Sequence, residues 1–154
     1  MMDHHCRRQR RPINVNGFTL IELMMAVAVM SVLALIALPA YKSHVQTAKR
    51  ADATRTLLGY ANKQELYFSQ YKTYNTDLTE LDLSATSPEG HYNVTVGDCD
   101  NDASTSNINS CFLLTATAIG PQLDDTRCRT FTLGQNGVRR AQDSDGGDTT
   151  ERCW

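Results

Sequence analysis

Few residues of this chain invite chemistry. Glu22 is the single charged side chain between Phe18 and Leu38, a run otherwise apolar except for two hydroxyls. A carboxylate in a lipid-grade segment costs about 2.5–3.5 kcal/mol on insertion scales, so it asks for a partner. Gly17 and Phe18 stand shortly before it, behind a leader that holds Arg7, Arg8, Arg10 and Arg11. Of the five cysteines, Cys6 lies in the leader, and Cys99, Cys111, Cys128 and Cys153 lie beyond the apolar run. Four cysteines in an exported polar domain read as two disulfides, with three pairings open. None has C-x-x-C spacing and no histidine clusters with them, which argues against a zinc or dithiol redox site.

The carboxylates suggest calcium only superficially. Asp98, Asp100 and Asp102 alternate as in a calcium loop, but Ala103 replaces the required glycine and Asn109 the bidentate glutamate. Both this run and the second cluster, Asp143, Asp145, Asp148 and Glu151, read as solvated loop, and no metal is expected. Arg127, Arg129, Arg139, Arg140 and Arg152 fall close together, with acids interleaved, and read as solvated or paired side chains. No Ser-His-Asp, Cys-His or paired-carboxylate arrangement stands out, and neither His44 nor His91 reads as catalytic. The chain is expected to be no enzyme and to need no cofactor. Setting aside the first 17 residues takes the net charge from −2 to −5. That balance excludes a general nucleic-acid-coating protein, which needs clustered Lys and Arg.

These residues need elements to hold them. As a helix, Phe18–Leu38 spans roughly 30 Å, enough to cross a hydrocarbon core. The only A-x-A in the run, Ala26-Val27-Ala28, sits in its middle, so signal-type cleavage there is not expected. The leader arginines hold the N-terminus in the cytoplasm and leave the rest on the far side. Pro39 should kink the helix. An amphipathic stretch then continues to near Tyr71, with Leu57, Leu58, Ala61 and Phe68 at helical spacing. Leu78, Leu81 and Leu83 should fold back onto it. "HYNVTV" alternates, "CFLLTATAI" is apolar, and "CRTFTL" and "GVRRA" flank an Asn-Gly hairpin signal. The tail "QDSDGGDTTERCW" reads as loop. The expected fold is α+β: a long N-terminal helix, half transmembrane and half amphipathic, packed on a roughly four-stranded antiparallel sheet. A core of roughly 100 residues is marginal, and disulfides would help it.

Gly17 to Met24, "GFTLIELM", resembles the prepilin processing signature of type IV pilins. Pro39 falls at the family's kink position. Gln64 to Leu83, "DTRCRTFTLGQNG" and the Cys153-Trp154 ending look like PilE-type minor pilins. The resemblance implies a leader over 1–17, a transmembrane and assembly helix over 18–39, and a periplasmic head over 40–154. It implies cleavage by a prepilin peptidase between Gly17 and Phe18, N-methylation of Phe18, and pairing of Glu22 with the Phe18 amine of a neighbouring subunit. The subunit would wait in the inner membrane as a single-pass protein with its head periplasmic. An inner-membrane assembly platform would then move it, with major and minor pilins, into an extracellular filament for adhesion, twitching motility or DNA uptake. The alternatives are a DNA-binding competence pilin at the filament surface and a pseudopilin of a type II secretion system. The expected disulfides are Cys99–Cys111, closing a polar loop between two strands, and Cys128–Cys153, tying the tail to the strand that starts at Cys128.

Overall fold

The structure, a computed structural model, describes residues 17–99 and 108–154. The basic leader up to residue 16, with Cys6, and Asp100, Asp102 and Ala103 of the acidic run lie outside the described residues. The chain divides into two units, Met1–Ala40 and Tyr41–Trp154. Helix α1, Leu20–Tyr71, contributes to both.

In the first unit α1 starts where Thr19 precedes an unbroken run of good helix formers and apolar residues. Every described side chain from Phe18 to Leu38 is exposed. Ser31 turns its hydroxyl back onto the Val27 carbonyl at 2.8 Å, which leaves no free hydroxyl on that stretch of helix. Helical backbone continues through position 39. The side chain of Pro39, where a kink is expected, lies outside the described residues.

In the second unit α1 carries an apolar face at Ala53, Leu57 and Tyr60, with Gln64 in register at its end. Spacings of three and four place these on one side of the helix. Leu58, expected on that face, is instead 41% exposed. Two consecutive helical residues lie about 100° apart, and the core side belongs to Leu57. The face packs on an antiparallel sheet of β1 (Tyr92–Gly97), β2 (Leu113–Ala118), β3 (Thr130–Gly134) and β4 (Arg139–Gln142), in the order β1-β2-β3-β4. Strand alternation turns Tyr92, Val94, Leu114, Ala116, Phe131 and Leu133 inward. The opposite face carries a ladder of threonines, with Thr95 opposite Thr115 and Thr115 opposite Thr132. Burying each large inward side chain contributes about 1.5–3 kcal/mol. Leu81, in the loop after α1, is buried. Leu78 and Leu83 are partly buried against the same core.

The β3–β4 hairpin follows its Asn-Gly signal. Gly137 N–H donates to the Gly134 carbonyl, and Gly134 N–H donates to the Val138 carbonyl, both at 2.9 Å. Gly137 has φ +77°. This is a type I turn followed by a left-handed glycine, a three-residue loop that a β-carbon at 137 would strain. Both sheet edges are covered by short backbone bridges, Thr86 to Asn93 beside β1 and Gln142 to Asp148 beside β4. Covered edges resist pairing with a foreign strand. The tail, expected as loop throughout, ends in a helical turn, α2 (Thr150–Cys153). That turn presents Cys153 to Cys128. Asp148 Oδ1 accepts the Thr150 N–H at 2.9 Å and so fixes where the turn begins.

Candidate functional site

The first candidate is the start of α1. Thr19 lies immediately before the helix, and its Oγ1 accepts the Glu22 N–H at 3.3 Å. Glu22 therefore occupies the third helical position, and Thr19-Leu20-Ile21-Glu22 has the spacing of a capping box. A carboxylate there also meets the positive end of the helix dipole. This local reason for Glu22 was legible from the Thr-x-x-Glu spacing and was missed. Gly17 has open space around it: a β-carbon built there would meet nothing within 4 Å. Among the described residues, then, nothing demands a glycine at that point.

The second feature is a buried polar knot that fastens α1 to the loops of the head. Arg50 donates to Asp125 through Nε at 2.7 Å and Nη2 at 3.0 Å, with both side chains nearly dry. Such a two-point contact is geometrically specific and strong. Gln122 Nε2 lies 3.1 Å from the Tyr92 hydroxyl and 3.2 Å from Asp125 Oδ2. Burial, with the Asp125 charge adding to it, pushes the Tyr92 hydroxyl up to about 12, although the bond from Gln122 opposes the shift. Two residues along α1, Asp52 accepts the Ser87 hydroxyl at 2.5 Å and the Glu89 N–H at 3.3 Å. Sequence reasoning missed these residues. Arg50 and Asp125 are 75 positions apart, and each alone looks like an ordinary surface charge.

Two disulfides close the remaining loops. Cys99 is bonded to Cys111 and Cys128 to Cys153, each with Cα atoms 5.8 Å apart. Cys128 and Cys153 are buried, whereas Cys99 is exposed. Trp154, next to the second bridge, donates from Nε1 to the Arg140 carbonyl at 2.7 Å and stands edge-on to Phe131. The guanidinium of Arg139 sits 5.3 Å from the Trp154 ring centre.

Of the clustered arginines, Arg129 donates to the Leu123 carbonyl at 2.9 Å. Arg127, Arg140 and Arg152 are exposed. Among the described residues none of the five forms an ion pair; Arg129 is half-buried and Arg139 lies against Trp154, so the solvated half of the expectation fits Arg127, Arg140 and Arg152. The acidic residues of the tail are spent on turns: Asp143 Oδ1 accepts the N–H groups of Asp145 and Gly147. The described residues contain no cluster able to hold a metal ion.

Comparison with known proteins completes the assignment. Residues 13–38 match the prokaryotic N-terminal methylation motif. Residues 39–132, more than half of the chain, match the family described as type IV minor pilin ComP, DNA uptake sequence receptor. The chain is similar to the fimbrial protein EcpC of Eikenella corrodens, 36% identical over 70 residues that cover 46% of each protein. It is similar to the type IV major pilin PilE of Neisseria gonorrhoeae, 33% identical over 95 residues, or 61% of this chain and 56% of PilE. The match thus spans about half the length of these relatives. A solved type IV pilin from Shewanella oneidensis aligns at a TM-score of 0.48 with 23% identity, covering 71% of this chain and 97% of that one. With an N-terminal methylation motif ahead of a minor-pilin head, the chain belongs to the type IV minor pilin ComP family.

Proposed function

We propose that this pilin is a minor subunit of a type IV pilus. Residues 1–17 serve as its leader, 18–39 as its membrane and assembly helix, and 40–154 as its head. A prepilin peptidase cuts between Gly17 and Phe18 and methylates the new amine. The subunit is held in the inner membrane with its head periplasmic until an assembly platform moves it into an extracellular filament with other pilins. The observation that carries this reading is the first stretch of α1. Phe18–Leu38 holds over a dozen large apolar side chains, all of them exposed. Water does not tolerate such a surface on a folded monomer, whereas lipid or neighbouring helices would cover it. Glu22 then sets register. In a helix bundle from which water is excluded, its carboxylate is attractive to the Phe18 amine of a neighbour and costly anywhere else. Pro39 gives the helix the bend it needs to leave the membrane. Glu22→Ala should insert, be cleaved and keep its head folded, yet its amount in sheared pili relative to membranes should fall severalfold. An unchanged ratio would refute the role given to Glu22.

A second reading, that the head receives DNA, is favoured by Arg127, Arg140 and Arg152, exposed and free of ion pairs among the described residues, together with the family match. With a net charge of −5 beyond residue 17, binding would depend on a local cluster and fall steeply with salt. Titration of duplex DNA at low and moderate salt tests it. Absence of binding at low salt would leave the structural role alone.

A further inference from the structure

The tip of the β3–β4 hairpin combines features that the pilus role does not use. We propose that Asn136-Gly137 is a site of spontaneous deamidation, a covalent modification of the folded head that proceeds without an enzyme. The Gly137 backbone nitrogen, on losing its proton, attacks Cγ of Asn136. Ammonia departs from that carbon and leaves a five-membered succinimide. Water then adds at one of the two ring carbonyls. Addition at Cγ breaks the newly made Cγ–N bond and gives aspartate. Addition at the Asn136 backbone carbonyl breaks the original peptide bond and gives isoaspartate, whose backbone runs through Cγ. No electron is exchanged, and water is the only co-reactant.

The hairpin geometry favours the first step. Asn136 and Gly137 are exposed. Gly137 has no side chain to shield its nitrogen, and the space beside its α-carbon is open to beyond 4 Å. The Val138 N–H donates to Asn136 Oδ1 at 3.0 Å. That bond draws electrons from Cγ and makes it a better electrophile. It also closes a ring that contains both Cγ and the Gly137 nitrogen, so nucleophile and electrophile stay on the same small loop. The opposing contact is the Gly137 N–H donating to the Gly134 carbonyl at 2.9 Å, which must open before attack. It is a single bond at a turn tip with no buried side chain over it. Asn93 offers the contrast. It lies within β1, backbone-paired with Thr117, and is followed by Val94, whose β-branch crowds the attacking nitrogen.

The product changes the surface. Asn136, Thr132, Arg140 and Gln142 line one cleft of about 410 Å³ on the threonine face of the sheet. Aspartate at 136 sets a carboxylate in the wall that holds the Arg140 cation. Isoaspartate adds a methylene to the backbone, lengthens the three-residue loop and breaks its hydrogen-bond register.

The test is incubation of the full-length protein in detergent at mildly alkaline pH. Peptide mapping with fragmentation that separates aspartate from isoaspartate gives the rate at each asparagine. A free peptide of the sequence from Gly134 to Ala141 runs in parallel, and near-ultraviolet circular dichroism confirms that the head stays folded. Among residues 41–154, Asn136 should lose its amide first, as a mixture of both products, with Asn93 unchanged. Asn136→Gln, which is one methylene longer and closes a ring poorly, should hold its mass over the same period. If Asn136 remains an amide when the free peptide is fully converted, or if another asparagine of the head reacts first, the hairpin protects its amide and the proposal is overturned.

Discussion

The two halves of α1 use the same helical backbone and differ in everything else. Up to Leu38 the helix exposes all its large apolar side chains, and among the described residues Glu22 is held at the start of its own helix. Beyond Arg50 the helix is covered in a regular pattern, Ala53 and Leu57 being fully buried, and the charges of Arg50 and Asp52 are matched by Asp125, Ser87 and the loop backbone. The second half finds in its own chain what it needs. The first must find cover in another molecule or in lipid. Cover from within calls for specific long-range polar contacts, whereas cover from outside leaves a uniform apolar cylinder on which one charge can carry register.

The largest difference should come from breaking processing. Gly17→Val changes a residue that no described side chain approaches, so folding of the head should be unaffected. A branched side chain beside the bond proposed for cleavage should leave full-length precursor in the membrane and essentially none in pili. Intact-mass measurement of the membrane fraction reads the result. Normal cleavage would show that the glycine is not what the peptidase requires.

In the covered half, Arg50→Met strands the Asp125 carboxylate in a dry site. Removing one partner of a buried pair costs about 3–5 kcal/mol. Denaturant unfolding should show that loss, and adding Asp125→Leu should restore much of it, since the paired apolar replacement leaves no orphan charge. If Arg50→Met alone is neutral, the knot is not what fastens α1 to the head.

What the sequence disclosed follows the same division. The first half of α1 was plain from composition, because a long apolar run behind arginines has few readings. The strands were plain from alternation at Tyr92 and Val94 and from the Asn136-Gly137 turn, both local signals. The Arg50–Asp125 contact was not, since nothing local distinguishes an arginine that will be buried from one that will not. Gln122 likewise gains its buried place through the distant Gln46 carbonyl and Tyr92 as well as Asp125. Leu57 and Leu58 were ambiguous for a geometric reason: adjacent positions compete for one face, and the sheet decides between them.

A smaller effect should appear at high pH. Burial holds the Tyr92 hydroxyl up to about 12 in the folded head, above its ordinary 10. The fold favours the neutral phenol, so this contribution is fully present below about pH 10 and is lost as pH rises through about 12. Absorbance of tyrosinate should show late ionisation, to which Tyr60 and Tyr74, also raised by burial, contribute, and Tyr92→Phe should delete the latest step, the one that ionises together with unfolding. The same substitution takes one of three acceptors from Gln122 Nε2, which keeps the Gln46 carbonyl and Asp125, so it should cost about 0.5–1.5 kcal/mol. A Tyr92 that ionises at its ordinary pH with the head intact would mean that water reaches the knot.

The smallest effect separates two explanations of Glu22. As the third residue of a capping box, it helps start the helix; as a charge, it can recognise a neighbour. Thr19→Ala removes the cap acceptor and should cost about 1 kcal/mol, seen as faster hydrogen exchange at the first-turn amides in micelles. Glu22→Gln keeps a side chain suited to that helical position but has no charge. If Glu22 acts through its charge, Glu22→Gln should lower pilus incorporation severalfold with first-turn exchange nearly unchanged. Thr19→Ala should do the reverse, fraying the start and leaving incorporation near wild type. Equal loss of incorporation in both variants would mean that the carboxylate serves the helix start, and that the exposed half of α1 takes its register from the shape of its apolar side chains.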